Sequence, residues 1–163
     1  MSWVCIVMGS DSDAEVMSQA CAALDDAGVK YEMKGASAHR TPERTQQVVS
    51  DAERDGASVF IAGAGLAAHL PGVIASLTTK PVIGVPLSGS ALQGFDSLLA
   101  IVQMPPGIPV ATVAIGGARN AGILAAQIIA TSDAAVASRL KKMRSAMADG
   151  VVEKSKRVER STR

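Results

Sequence analysis

Near its start the chain reads Val4-Cys5-Ile6-Val7-Met8-Gly9-Ser10-Asp11-Ser12-Asp13. The five apolar residues are typical of a strand that is covered on both faces, as in a parallel sheet. Gly9 ends this strand, and Ser12 with Glu15 three positions later predicts a capping box that starts a helix. We expect that helix to reach Ala27 and to end at Gly28. A buried strand followed directly by a helix indicates an α/β protein.

The same alternation continues along the chain. Further strands are predicted at residues 29–34, 58–62, 82–85 and 110–115, and further helices at residues 42–54, 70–78, 96–102 and 119–130, with a last helix that reaches about residue 150. Five strands that alternate with helices predict one parallel sheet with helices on both faces. We therefore expect a single α/β domain over residues 1–150. Residues 151–163 form a charged tail, which is interpreted as a solvated or frayed end.

The composition excludes several classes of protein. The 163 residues are 48% hydrophobic and 19% charged, which is typical of a globular domain. A net charge of +1 and 2% aromatic residues provide neither the positive field nor the stacking surface of a nucleic-acid-binding protein. No apolar run reaches the roughly 18 residues of a membrane helix, and residues 3–8 are too short for a signal peptide. Cys5 and Cys21 are interpreted as buried thiols in a reducing compartment, so we expect a cytoplasmic protein. No cluster of His, Cys, Asp and Glu in the sequence is dense enough to predict a metal site.

Polar loops are expected to meet at one edge of the predicted sheet. In a parallel sheet, ligands bind outside the carboxyl ends of the strands. The loops that follow these ends are rich in Gly, Ser and Ala, and they comprise residues 9–13, 37–40, 63–69 and 88–90. Their small side chains, including Ser88, predict a site for a small polar ligand.

The first of these loops favours an anionic ligand. Gly9 allows a close approach to the backbone, and the start of the next helix attracts phosphate. Ser12 and Asp13 also have a purely structural interpretation, as a helix cap and as a charge that complements the helix dipole. Ser10 has no role in that interpretation, so binding of phosphate or ribose is an equal alternative.

The second loop places a titratable ring beside a fixed cation. His39 and Arg40 stand just before Thr41, a predicted helix N-cap, and Pro42, which suits the first helical position. Both side chains have a simple interpretation as surface groups. Next to a phosphate, Arg40 would instead act as a forked donor, and His39 could exchange protons near neutral pH.

Residues 63–68, Gly-Ala-Gly-Leu-Ala-Ala, match the GxGxxA pattern of dinucleotide-binding proteins. Such a site needs an acidic residue about 20 positions further on, and residues 57–94 contain none. A nicotinamide cofactor is therefore rejected. Gly63 and Gly65 are interpreted as making a tight turn or as allowing the approach of a flat ligand. His69 is interpreted as a histidine that bonds a carbonyl oxygen and shapes its loop.

Two segments predict self-association. The helix at residues 121–130 is apolar on nearly every side, so one sheet cannot cover it alone. The last helix carries a single apolar stripe of Val136, Leu140, Met143 and Met147 on an otherwise polar segment.

The motifs taken together resemble those of the N5-carboxyaminoimidazole ribonucleotide mutase family, the catalytic-subunit type of phosphoribosylaminoimidazole carboxylase. The resemblance extends from Val4 to Ala130, in the same order and spacing. The matching segments are residues 8–13, 37–42, 63–72 and 96–105. Residues 103–109, Gln-Met-Pro-Pro-Gly-Ile-Pro, resemble the bacterial mutase branch rather than the animal-type branch that uses free carbon dioxide.

The resemblance implies a flavodoxin-like three-layer αβα sandwich assembled as an octamer, with active sites at subunit contacts. It implies movement of a carboxyl group from the exocyclic nitrogen of an aminoimidazole ribonucleotide to ring carbon C4 in purine biosynthesis, without metal, ATP or nucleotide cofactor. His39 matches the catalytic histidine, and Ser10, Asp13 and Arg40 match residues that hold the ribose phosphate. Gly9, Ser12, Ser37, Gly63, Gly65, His69 and Ser88 complete the expected substrate-binding set.

Two other functions remain open at this stage. One is a carboxylase that takes aminoimidazole ribonucleotide and free carbon dioxide directly. The other is a non-catalytic mononucleotide-binding module on the same scaffold, because a fold alone does not define an activity.

Overall fold

The computed structural model describes residues 2–161 and contains one parallel sheet of five strands. The strands are β1 (Trp3–Met8), β2 (Lys30–Gly35), β3 (Ala57–Gly65), β4 (Val82–Leu87) and β5 (Ala111–Thr112), and the helices are α1 (Ala14–Ala27), α2 (Pro42–Arg54), α3 (Leu70–Leu77), α4 (Phe95–Val102), α5 (Ala118–Ala130) and α6 (Ala134–Ser161). The strand order is β2-β1-β3-β4-β5, and every neighbouring pair is parallel. This is the predicted flavodoxin-like arrangement, whose order reverses direction between β1 and β3.

Successive side chains of the central strands point into two separate apolar layers. In β1, Val4 and Ile6 face α1 and α5, whereas Cys5 and Val7 face α2 and α3. Because side chains alternate along a strand, an unbroken apolar run is what a sheet covered on both faces requires. The three-layer prediction is thereby confirmed, with α1, α5 and α6 on one face and α2, α3 and α4 on the other.

Several predicted boundaries shift at the edge of the sheet that carries the polar loops. β3 extends to Gly65, so both glycines of the GxGxxA pattern belong to the strand and not to a loop. β4 extends to Leu87, two residues beyond the strand predicted at residues 82–85. The predicted fifth strand shortens to two residues, Ala111–Thr112. The helices at Pro42–Arg54 and Leu70–Leu77 agree with prediction to within one residue.

Helix α5 is covered mainly by neighbours within its own chain. Gly122 lies against the backbone of α1, where the carbonyl oxygen of Ala20 is 2.5 Å from the position that a Cβ would occupy. Leu140 and Met143 of α6 pack on the same layer. The apolar character of α5 is therefore explained by burial under α1 and α6, which removes it as an argument for self-association.

The segment predicted as a tail continues α6 as far as Ser161. The side chains of residues 151–160 are exposed, so this part of the helix projects beyond the apolar layer. The division of the chain at residue 150 stays a prediction, and residues 162–163 lie outside the described part. Among the helices of residues 2–161, none has the length and apolar character that crossing a bilayer requires.

Candidate active site

A cleft of about 630 Å³ opens at the carboxyl edge of the sheet, beside the point where the strand order reverses. One side of it, here called the polar wall, is formed by Gly9, Ser10, Ser12, Asp13, Ser37 and Arg40. The other side, the apolar wall, is formed by Ala64, Leu66, Ala67, Leu70 and Leu87. Ala38, His39, Gly65, Ser88 and Gly89 complete the lining. The four loops expected to meet do so around this cleft.

Ser10 is the residue that caps the first loop, which corrects the sequence interpretation. Its extended backbone precedes a 3₁₀ turn at Asp11–Asp13, and its Oγ accepts hydrogen bonds from the backbone N–H and the hydroxyl of Ser12, at 3.3 and 3.0 Å. The predicted capping box of Ser12 and Glu15 does not form, because α1 begins only at Ala14. The error arose because a 3₁₀ turn inserted before α1 moves the cap two residues earlier than the helical pattern indicates.

Burial raises the pKa of the Asp13 carboxyl above its ordinary value. Desolvation is the largest cause, and hydrogen bonds to Asp13 from the Ser10 backbone and the Ser12 side chain oppose it. Asp13 lies at the N-cap position of α1 without a side-chain capping bond. Its carboxylate is therefore held at the cleft by local packing and is available to accept hydrogen bonds from a ligand.

Hydrogen bonds close the second loop into a compact turn. The Thr41 hydroxyl accepts from the Ser37 N–H at 2.9 Å and donates to the Ser37 carbonyl at 3.1 Å. The Ser37 hydroxyl in turn accepts from the Arg40 N–H at 3.2 Å. Thr41 stands at the predicted N-cap of α2, but its hydroxyl serves this turn and not the helix. The turn fixes the backbone from which His39 and Arg40 project.

Arg40 connects the two loops of the polar wall. Its guanidinium donates to the Gly9 carbonyl at 3.4 Å and to the Ser37 hydroxyl at 3.5 Å, both long bonds. Within residues 2–161, no carboxylate forms an ion pair with Arg40. An exposed guanidinium that lines a cleft beside a helix start, and has no acidic partner there, is suited to an anionic ligand.

The cleft residue His39 contacts a second histidine, His69. Its Nε2 lies 2.8 Å from Nδ1 of His69, and the two rings meet edge to face with centroids 4.9 Å apart. His69 precedes α3, so the loop after β3 delivers it to the loop after β2. The expected carbonyl partner of His69 is replaced by an imidazole, a pairing that no local sequence signal indicates because 30 positions separate the two residues.

The remaining predicted residues take different positions. Gly65 and Ser88 line the cleft, whereas Gly63 is buried in β3 with the Met17 side chain packed where a Cβ would stand. The apolar wall was not predicted. Ala64, Leu66 and Ala67 lie in the loop predicted at residues 63–69, which was expected to line a polar site, and Leu70 and Leu87 lie outside the predicted loops. Within residues 2–161, no three His, Cys, Asp or Glu side chains are grouped closely enough to hold a metal ion. The roles of all these residues in binding stay predictions.

The fold and the cleft define an α/β protein of the flavodoxin-like class with a ligand site at its topological switch point. The sequence matches the AIR carboxylase family over residues 3–150. The N5-carboxyaminoimidazole ribonucleotide mutase of Pyrococcus abyssi is 58% identical over 147 residues, which are 90% of this chain and 84% of that protein. The enzyme of the same name from Thermotoga maritima is 53% identical over 159 residues, covering 98% and 93% of the two chains.

The structure agrees with these sequence matches. The crystal structure of Treponema denticola PurE superimposes with a TM-score of 0.88 at 27% sequence identity, over 96% of this chain and 98% of that one. The chain therefore belongs to the AIR carboxylase family.

Proposed function

We propose that this chain is a mutase of purine biosynthesis that converts N5-carboxyaminoimidazole ribonucleotide into 4-carboxy-5-aminoimidazole ribonucleotide. It is an isomerase and uses no ATP. The observation that carries the proposal is the placement of His39 and Arg40 on one closed turn that lines the same cleft as Ser10 and Asp13. The relatives at 53–58% identity, each an enzyme of this name, support the choice of reaction.

The polar wall binds the ribose phosphate. Arg40, the hydroxyls of Ser10 and Ser12, and the backbone at Gly9 surround the start of α1, where phosphate is electrostatically favoured. The Asp13 carboxylate accepts hydrogen bonds from ribose hydroxyls. Ser37, Gly65 and Ser88 contact the ring. His69 supports His39 through their contact, and Gly63 supports the end of β3 by leaving room for the Met17 side chain. Binding of the phosphate positions the imidazole ring of the substrate against His39, so that the substrate stays bound through both steps of the reaction.

His39 acts first as an acid and then as a base. It gives a proton to the exocyclic nitrogen as the nitrogen–carbon bond breaks, and that bonding pair stays on nitrogen while carbon dioxide forms. Ring carbon C4 then attacks the carbon dioxide, and the proton displaced from C4 returns to His39. The proton count balances, so one imidazole suffices, and such assistance is typically worth about 10²–10⁴ in rate.

An assay without ATP tests the proposal. The protein is given either the carbamate substrate or aminoimidazole ribonucleotide with bicarbonate, and the 4-carboxy product is followed by its ultraviolet absorbance. Rapid product formation from the carbamate is expected. Efficient use of aminoimidazole ribonucleotide with carbon dioxide alone would instead establish the carboxylase, and tight ribonucleotide binding without product would establish a binding module.

We also propose a homo-oligomer, an octamer as the family resemblance implies. Phe95, Leu99 and Val102 share one face of α4 and are exposed, and Leu92 lies just before them. This apolar surface of α4 adjoins the cleft, because the Ser97 hydroxyl near the start of α4 donates to the carbonyl of the cleft residue Leu87 at 2.8 Å. A second copy of the chain is the occupant that would cover the surface and enclose the cleft.

Light scattering tests the assembly. Phe95→Lys should lower the molar mass of the assembly, because a charge would have to be buried at the contact. Val151→Lys is the matched control, since Val151 is equally exposed, at 67% against 64% for Phe95, but lies on the projecting part of α6. An unchanged mass for Phe95→Lys would remove α4 from the interface.

A cytoplasmic location is part of the same proposal and is supported by the two free cysteines, Cys5 and Cys21.

A further inference from the structure

Leu66 has a backbone conformation that leucine rarely adopts. Its φ is +58°, and within residues 2–161 only Gln93, at +51°, shares a positive φ among residues other than glycine. The left-handed region costs a residue with a Cβ about 1–2 kcal/mol. Such a conformation persists where the surroundings impose it, and it is enriched at functional sites.

The left-handed turn itself is explained by the chain path. Leu66 follows Gly65, the last residue of β3, and its carbonyl accepts from the Ala68 N–H at 2.9 Å. The Ala67 carbonyl accepts in the same way from the His69 N–H at 2.9 Å. These two tight turns lead the chain from the sheet to His69. Glycine would make this path without strain, so the path does not account for a leucine.

The leucine side chain has a distinctive position. It is 54% exposed, although it lines the cleft, whereas Leu70 and Leu87 of the same apolar wall are buried to 3% and 4% exposure. Leu66 is thus the one leucine of this wall whose side chain is exposed. It stands on the same loop as His69, whose ring contacts His39.

We propose that the Leu66 side chain covers the reacting ring and retains the carbon dioxide released there, so that Leu66 is a positioning residue for carboxyl transfer. The inference rests on the proposed mutase reaction. Carbon dioxide is uncharged and makes weak polar contacts, so electrostatic attraction to the polar wall cannot hold it. An apolar side chain placed over the ring prevents the escape of carbon dioxide and keeps out competing water. Escape leaves the amine, aminoimidazole ribonucleotide, with one proton taken up and one carbon dioxide lost.

Isotope incorporation measures this retention. The carbamate substrate is converted in solution containing ¹³C-bicarbonate and carbonic anhydrase, and the label in the 4-carboxy product is read by mass spectrometry, after subtraction of an enzyme-free control. The wild-type protein should transfer its own carboxyl group with little exchange. Leu66→Gly should incorporate severalfold more label and release more aminoimidazole ribonucleotide for each product formed.

Two further variants of Leu66 and one of Gln93 separate the effect of the side chain from that of the backbone conformation. Leu66→Asn tolerates the left-handed conformation but is polar, and it should leak as Leu66→Gly does. Leu66→Met keeps an apolar side chain and should retain most of the carboxyl group. Gln93→Gly is the control, because it relieves the backbone strain of the other left-handed residue, which lies outside the cleft lining. It should leave the label fraction unchanged. Circular dichroism and light scattering establish that each variant is folded and assembled.

The possible outcomes are distinct. Equal label fractions in the wild-type protein, Leu66→Gly and Leu66→Asn would overturn the role of Leu66 while leaving the mutase intact. A wild-type protein that forms no 4-carboxy product from the carbamate would overturn the proposed function itself.

Discussion

The Nε2 atom of His39 lies 2.8 Å from the Nδ1 atom of His69. A hydrogen bond between two imidazole nitrogens needs one proton, carried by one ring and accepted by the other. The protonation of His39 is therefore coupled to the tautomer of His69, and the contact also fixes the orientation of the ring proposed to move protons.

Replacing the two histidines should give effects of different size. His39→Asn should fold and assemble but lose about 10²–10⁴ in kcat, because it removes the proposed acid and base. His69→Asn should lose up to about tenfold, the value of one orienting hydrogen bond. Steady-state assays on the carbamate measure both. Full activity of His39→Asn would remove this residue from the mechanism.

Arg40→Leu should weaken binding rather than chemistry. A charge-assisted bond to phosphate is worth about 1.5–3 kcal/mol, so KM should rise about 10- to 100-fold with kcat largely kept. Arg44→Leu is the matched control, because it removes the same charge from a position four residues further along the chain. The Arg44 side chain donates to the Gly35 carbonyl. An unchanged KM for Arg40→Leu would refute the phosphate assignment.

Asp13→Asn should stabilise the protein at pH 7 while impairing substrate binding. The folded pKa of Asp13 is raised by burial, so the folded protein holds that proton more firmly than the unfolded chain. Its contribution to stability is therefore present at low pH and is lost as the pH rises through the folded pKa. The gain in Tm of the variant should be clear at pH 7 and should shrink near pH 4. A gain that is larger at the lower pH would contradict the assigned shift.

Two glycines in helices should respond to alanine in opposite directions. At Gly122 a Cβ would meet the Ala20 carbonyl and Ala23, so Gly122→Ala should cost about 1–3 kcal/mol through overpacking between α1 and α5. At Gly150 a Cβ meets nothing within 4 Å on an exposed turn of α6. There alanine should add about 0.5–1 kcal/mol of stability. Urea titrations measure both, and destabilisation by Gly150→Ala would show that α6 makes further contacts at that point.

The two cysteines should resist thiol reagents in the native state. Burial raises the pKa of Cys5 to about 12 and also raises that of Cys21, so little reactive thiolate exists at neutral pH. Ellman's reagent should label neither within the time in which it labels both in guanidinium. Rapid labelling of one native thiol would indicate local opening around that residue.

The sequence predicts most of the fold because its signals are local and repeated. The apolar run at residues 4–8 and the stop at Gly28 depend only on neighbouring residues, and the structure bears both out. Shorter elements are predicted less accurately. β5 retains two residues because little of it pairs with β4, and the 3₁₀ turn after Ser10 has no distinct sequence pattern.

The candidate site is predicted less completely. The polar residues stand out as clusters after strands, and four strand ends meet at one edge for topological reasons. The pairing of His39 with His69 and the apolar wall depend on distant segments that come together. The left-handed backbone of Leu66 is not indicated by the sequence either, because leucine rarely adopts a positive φ.

The two walls of the cleft come from strands on opposite sides of the point where the strand order reverses, between β1 and β3. The loops after β1 and β2 supply the polar wall. The apolar wall comes from the end of β3, the segment that leads from it into α3, and the end of β4. In the proposed function, the groups that bind the sugar phosphate follow β1 and β2, as does His39, and the apolar residues that cover the ring belong to the segment around β3 and β4, which pairs with β1 through β3. Exchange of the apolar wall alone would therefore change the cover over the heterocycle and leave the proposed phosphate site in place.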